Sequence, residues 1–236
     1  MPDTALVVIA LTVATGAFVQ GTSGLGFALI VAPVVGLLAP DLLPVFLLAA
    51  MIPLNAYVLW RERHALDLSG TGWITAARIV ATPGGVLVLA LVPESFLGVL
   101  VGAATVAAVV ASLLSPSFTP GVGAYLAAGA ITGITETATG VGGPPLALVY
   151  QHRPPAELRA TVAACFLGGE IVSLGLLFGT RQAHLDQLLP LLPMLPAVAL
   201  GAALSVITHR RLDAARMRIV VLVFALVSGT ALMVGL

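Results

Sequence analysis

The sequence predicts an all-α integral membrane fold: two inverted-topology repeats of about five hydrophobic segments each, with broken or re-entrant helices meeting near the bilayer midplane. Three observations predict it: an apolar composition, a one-sided distribution of arginine, and a glycine-rich motif that occurs twice. Of the 236 residues, 59% are apolar and 8% are charged, against roughly a quarter charged in soluble domains. That is too little polar surface to cover a soluble core. About 20 apolar residues cross a bilayer, so the chain has room for about ten passes. The formal charge is zero, and nothing draws the protein to nucleic acid. Lysine is absent, which excludes a GK[ST] phosphate loop and any Schiff-base lysine. The lone Cys165 lies in an apolar run, forms no intrachain disulfide or thiolate cluster, and reads as a small buried packing residue.

In chain order, the apolar runs fall at 5–20, 23–39, 42–60, 72–92, 95–113, 121–138, 143–152, 156–178, 187–208 and 216–235. The first follows Met1-Pro2-Asp3, which carries no basic residue, so it is expected to remain as a span rather than be cleaved as a signal peptide. The second and seventh each follow a glycine-rich stretch, and the seventh is too short to span. Between the third and fourth lies RERHALDLSG at 61–70, with Trp60 and Trp73 placed as interfacial belt residues. Arg78 lies a few residues into the fourth run and is expected to snorkel toward the interface. With the N-terminus outside, the connections at 61–71, 153–159 and 209–218 are inside. They carry Arg61, Arg63, Arg153, Arg159, Arg210, Arg211, Arg216 and Arg218, and only Arg181 is outside. Positive charge is retained on the inner side, so both termini are expected outside.

The chain matches itself at an offset of about 116 residues, the kind of internal repeat that transport folds display. QGTSGLGFAL at 20–29 aligns with ETATGVGGPP at 136–145, and RERHALDL at 61–68 resembles RQAHLDQL at 181–188. The two repeats are then residues 1–115 and 116–236. Five segments in each is an odd number, which turns the second repeat upside down, as the arginines require. Each glycine-rich piece reads as a helix break. Glycine tolerates positive φ, and proline (Pro33 in one repeat, Pro144 and Pro145 in the other) suits the first turn of a new helix. Exposed backbone inside a bilayer survives only where protein or a wet cavity surrounds it. Helices restarting around residues 23–27 and 139–143 would aim amides at one place, a geometry that favours an anion. The same small residues would equally serve close helix packing.

GITETATGVGGPPLALVY at 133–150, paired with GTSGLGFALIVAP at 21–33 and the duplicated layout, resembles the TauE/SafE family of sulfite exporters and related anion permeases. Phe27 and Ala28 depart from the pattern, standing where the family usually has glycine. The resemblance implies secondary transport of small, often sulfur-containing anions across the cytoplasmic membrane. Its expected partners are a small anionic substrate and the lipid bilayer, and it is compatible with a homo-oligomer. No cofactor is expected, and no catalytic motif such as GxSxG or HExxH is present.

An ionised carboxylate costs several kcal/mol at midplane, so intramembrane acids call for an explanation. Glu136 precedes the second break and aligns with Gln20; Glu170 lies midway along the eighth run and aligns nearly with Asn55. A carboxyl beside an anion must be neutral, so Glu136 and Glu170 are candidates for proton coupling; the plainer reading is a hydrogen-bonded helix contact for each. The candidate substrate contacts are Gln20, Ser23, Gly24, Gly26, Asn55, Thr139, Gly140, Gly142 and Gly143. Among the hydroxyls Thr22, Ser23, Thr137 and Thr139, Ser23 and Thr139 rank first as openers of the new helices, although such hydroxyls commonly bond back to their own backbone. The alternative function is a cation or metal carrier drawing on the oxygens of Glu136, Glu170, Gln20 and Asn55. His64 and His184, near Asp67 and Asp186, lack metal-ligand spacing and read as solvated interfacial residues, as do His152 and His209.

Overall fold

The computed structural model describes residues 3–93, 96–114, 120–208 and 214–234. Its described α-helices are α1 (Asp3–Ser23), α2 (Phe27–Leu38), α3 (Val45–Glu62), α4 (Leu68–Leu91), α5 (Leu97–Leu114), α6 (Val122–Thr139), α7 (Gly143–Tyr150), α8 (Pro155–Gly179), α9 (Leu195–Thr208) and α10 (Ala214–Val234). Short 3-10 turns occupy Pro40–Leu42, Arg63–Ala65 and Leu185–Met194. Each apolar run of the sequence thus becomes one α-helix, except that 187–208 divides between the 3-10 stretch Leu185–Met194 and α9. Among the described residues, six stretches are long and apolar enough to cross a membrane: Thr4–Ser23, Val45–Ala65, Leu68–Leu91, Leu97–Leu114, Pro155–Gly179 and Leu185–Ile207. Phe27–Leu38 and Ile219–Val234 are apolar but shorter. Outward-facing residues such as Val80 and Leu114 are 81% and 76% exposed, a surface suited to acyl chains and not to water. The protein is a multi-pass membrane protein.

The helices pair across the chain: α4 lies along α6, α1 along α9, α3 against α8 and α5 against α10. Lipid offers no hydrophobic drive for helix association, so close approach through small residues has to supply it. Glycine permits that approach. A Cβ on Gly129 or Gly133 of α6 would strike the Ile74 or Arg78 carbonyl of α4, and one on Gly201 of α9 would strike the Ala14 carbonyl of α1. Likewise a Cβ on Gly102 of α5 would meet the Gly229 carbonyl of α10.

The connections sort onto two faces. On one, the Asp67 amide donates to Thr161 Oγ1 at 3.1 Å, Tyr150 Oη donates to Asp67 Oδ2 at 2.8 Å, and Arg159 pairs with Glu62 at 3.0 Å. On the other, Gln187 Nε2 donates to the Asp41 carbonyl at 2.6 Å. Arg61, Arg63, Arg153 and Arg159 therefore share one face, and the loop with Arg181 belongs to the other. Arg210, Arg211 and His209 lie outside the described residues, as do the side chains of Arg216 and Arg218. Pro144 and Pro145 stand in the first turn of α7. Pro33 does not open a helix as expected; it sits in the middle of α2, because that helix already restarts at Phe27.

Candidate functional site: a cavity between two interrupted helices

The two breaks are built alike. A left-handed glycine ends each leading helix, Gly24 at φ 87° and Gly140 at φ 78°. Each donates its amide to the carbonyl four residues back, on Gln20 and on Glu136, both at 2.7 Å. The preceding hydroxyl then accepts the next amide, Leu25 onto Ser23 Oγ at 3.3 Å and Val141 onto Thr139 Oγ1 at 3.1 Å. Here the structure corrects the sequence reading: Ser23 and Thr139 close α1 and α6 rather than open the next helices. Their hydroxyls also bond back to the Val19 and Thr135 carbonyls, as Thr22 does to Phe18. The glycine that reverses the chain comes after them, so the new helices begin at Phe27 and Gly143, after the N-cap glycines Gly26 and Gly142, which have no side chain to cap with. Thr137 shares a hydrogen bond with Ser173 at 2.7 Å.

Helix length sets how far each break lies from a face of the bundle. At 1.5 Å per residue, α2 places its N-terminus about 18 Å from the face bearing Asp41, and α7 places its own about 12 Å from the arginine face. The two breaks thus lie inside the helix bundle, at distances from the two faces that add to about 30 Å. They are also neighbours, with Leu25 of the first against Gly143 of the second. Between them is a cavity of about 550 Å³, lined by Gln20, Ser23 and Gly26 from one break and by Gly140, Gly142 and Gly143 from the other. Gly24, Asn55 and Thr139 are not part of that lining. Leu29 and Phe166 contribute apolar wall, and the cavity reaches Gln151, Arg153 and Arg159 at the arginine face.

Two guanidinium groups complete the end of α1. Arg61 donates to the Gly21 carbonyl at 2.7 Å and Arg159 to the Thr22 carbonyl at 3.4 Å, with Glu62 bridging them. Positive charge at a helix C-terminus is favourable there, because the last carbonyls have no intrahelical partner. Two arginines against one carboxylate leave a net positive charge beside the cavity.

A second polar group lies deeper, surrounded by α1, α3, α4, α6 and α8. The Phe27 amide donates to Gln20 Oε1 at 3.1 Å, Gln20 Nε2 to Asn55 Oδ1 at 3.0 Å, and Asn55 Nδ2 to Glu170 Oε1 at 2.7 Å. Beside this chain Glu136 Oε2 meets Arg78 Nη2 at 2.6 Å, with both side chains fully buried. The snorkelling expected of Arg78 is therefore corrected. Its face of α4 turns inward against α6 and α8, where Nη1 donates to the Cys165 carbonyl at 3.0 Å and the guanidinium lies 5.5 Å from the Phe166 ring centre. Gly169 leaves room for it, since a Cβ there would overlap the guanidinium. Glu136 Oε1 and Glu170 Oε2 have no hydrogen-bond partner among the described residues. Sequence reasoning missed Arg78, Phe166 and Arg159 as parts of the site. For Arg78, the buried acid on another helix was the one available signal. His64, His152 and His184 are exposed, and no group of metal-ligating side chains occurs among the described residues.

No curated protein and no solved structure matches the chain. A family model does: sulfite exporter TauE/SafE, over residues 8–232. That match covers nearly the whole chain, both breaks and every residue of the buried polar group, so the protein belongs to the TauE/SafE sulfite exporter family of membrane transporters.

Proposed function

We propose that the protein is a proton-coupled secondary transporter that moves a small anion, sulfur-containing as in sulfite or an organosulfonate, across the cytoplasmic membrane. The observation that carries this reading is that both helix breaks line one cavity. The N-terminus of a restarting helix carries roughly half a positive charge, and two such ends with glycine backbone favour an anion over a cation. The arginines at the mouth add to the attraction.

The reading includes two inverted repeats, residues 1–115 and 116–236, and its support is the pattern of partners. Exchanging α1–α5 for α6–α10 turns the α4–α6 contact into α9–α1, and α2–α10 into α7–α5; all four contacts occur. The α3–α8 and α5–α10 contacts map onto themselves. Alternating access by tilting one repeat against the other follows for such a layout. Arginine retention puts the face bearing Arg61 and Arg153 in the cytoplasm and both termini outside.

The cation-carrier alternative has less support. Arg78 already supplies a positive charge to Glu136, while the amide oxygens of Gln20 and Asn55 are taken by Phe27 N–H and by Gln20 Nε2. Proton coupling is supported by charge balance, since Arg78 neutralises one of the two buried carboxyls and a proton must neutralise the other. The test is uptake of labelled sulfite, methanesulfonate and acetate into proteoliposomes under imposed pH gradients. Gradient-driven accumulation of a sulfur anion is the expected result. Uptake of Mn²⁺ or Ca²⁺ without any anion flux would overturn the reading.

A further inference from the structure

Resting on the transport reading, we infer that Glu170, and not Glu136, is the group whose protonation is linked to anion binding, and that the link runs through Asn55 and Gln20 to the Phe27 amide at the cavity wall. The hydrogen-bond chain has a fixed direction. A backbone N–H can only donate, so Gln20 must turn its carbonyl oxygen to Phe27 and its amide nitrogen to Asn55. Asn55 must then accept on Oδ1 and donate from Nδ2, and Glu170 must accept on Oε1. Every bond in the chain points toward Glu170. Its other oxygen, Oε2, is buried, has no hydrogen-bond partner among the described residues and can carry a proton.

The charged and titratable groups facing Glu170 are Glu136 on α6 and Arg78 on α4, while α3 contributes Asn55 and α1 Gln20, neither of which titrates. Arg78 keeps its charge and sits on Glu136. Glu136 is thereby the standing counter-ion, and the exchangeable proton belongs to Glu170. When Glu170 is ionised, its charge strengthens the bond from Asn55, which polarises Gln20 and holds the Gln20 oxygen on the Phe27 amide. The start of α2 is then capped by a protein oxygen. A proton on Glu170 weakens the chain, Gln20 can leave, and the Phe27 amide is released between Gly26 and Ala28, both of which line the cavity. An anionic oxygen takes the place Gln20 vacates. Gln20 and Asn55 are thus positioning residues, and each ligand tightens the other by the same factor.

The experiment uses the whole protein in detergent and in proteoliposomes, with methanesulfonate as probe because its own charge does not change between about pH 5 and 8. Binding is read from the ligand-induced shift in thermal midpoint, and exchange from counterflow of labelled methanesulfonate. The expected wild-type affinity falls about tenfold per pH unit once pH exceeds the proton site, the limit for one linked proton. Glu170→Gln and Asn55→Leu should each lose the pH slope of whatever methanesulfonate binding and counterflow they keep, the latter with both carboxyls intact. Asn55→Ser is the second variant should the leucine fail to fold. Retention of the wild-type slope in Glu170→Gln, or in the Asn55 variants, overturns the linkage while leaving the transport reading in place. Absence of any anion binding by the wild type at every pH overturns both.

Discussion

A guanidinium has five N–H donors and cannot shed its charge, so burying Arg78 with no exposed surface commits its neighbours to it. Removing one member of a buried pair strands the other, and Arg78→Ala should cost about 3–5 kcal/mol. The double variant Arg78→Ala/Glu136→Ala should cost less than the sum of the single changes, which a double-mutant cycle of thermal midpoints in detergent would measure. Gly169→Ala should be as damaging as Arg78→Ala although it adds only a methyl group, because that methyl lies where the guanidinium stands. A contrasting ionisable residue is Asp67, at the start of α4 and outside the spans. Burial alone would raise its carboxyl, but the Gly70 amide, then the Tyr150 hydroxyl and the Ser69 amide, hold it below the usual carboxylate range. A depressed carboxyl contributes stability that is complete above its unfolded value near pH 4 and is lost as pH falls through the folded one. The midpoint of the wild type should therefore drop below about pH 4. Asp67→Asn, which keeps a capping oxygen but does not titrate, should drop less over the same range; an equal drop would show that Asp67 is not the source.

At the scale of elements, the breaks depend on two glycines in the left-handed region, where an L side chain costs about 1–2 kcal/mol. Gly140→Ala adds to that cost a clash with Leu47, and Gly24→Ala a clash with Leu158 and Arg159. Both should abolish methanesulfonate counterflow while leaving the helix content of the folded protein unchanged by circular dichroism. Gly72→Ala and Gly175→Ala, whose added methyls meet nothing within 4 Å, are the matched controls and should transport normally. The ten described α-helices were legible because a span declares itself by a continuous apolar run. The two breaks were legible because glycine clusters interrupt such runs. The inward turn of Arg78 was not, since the periodicity of a helix that is apolar on every side does not say which face meets protein, and its partner Glu136 lies on another helix. Nor did sequence show that Ser23 and Thr139 finish helices rather than start them. Hydroxyls suit both ends of a break, and only the position of the left-handed glycine decides between them.

For the whole molecule, the decisive question is whether α2 and α7, the helices that restart after the two breaks, run to opposite faces. Tyr150 contacts Asp67 at the arginine face, and Gln187 reaches Asp41 at the opposite one. The loops around His152 and His184 are thus separated by the length of α8, whose 25 residues make about 37 Å and exceed the apolar thickness of a bilayer. Both histidines are exposed, whereas Cys165 is buried and is the one cysteine in the sequence. Cysteine placed at either histidine in a Cys165→Ser background therefore reports on one face at a time. His184→Cys should react with a membrane-impermeant maleimide in intact spheroplasts, and His152→Cys only in inverted vesicles. Labelling of both from the same side would require an even number of crossings between them, which the single helix α8 cannot provide. α2 and α7 would then run to the same face, and the breaks could no longer enter the membrane from opposite faces to enclose an anion.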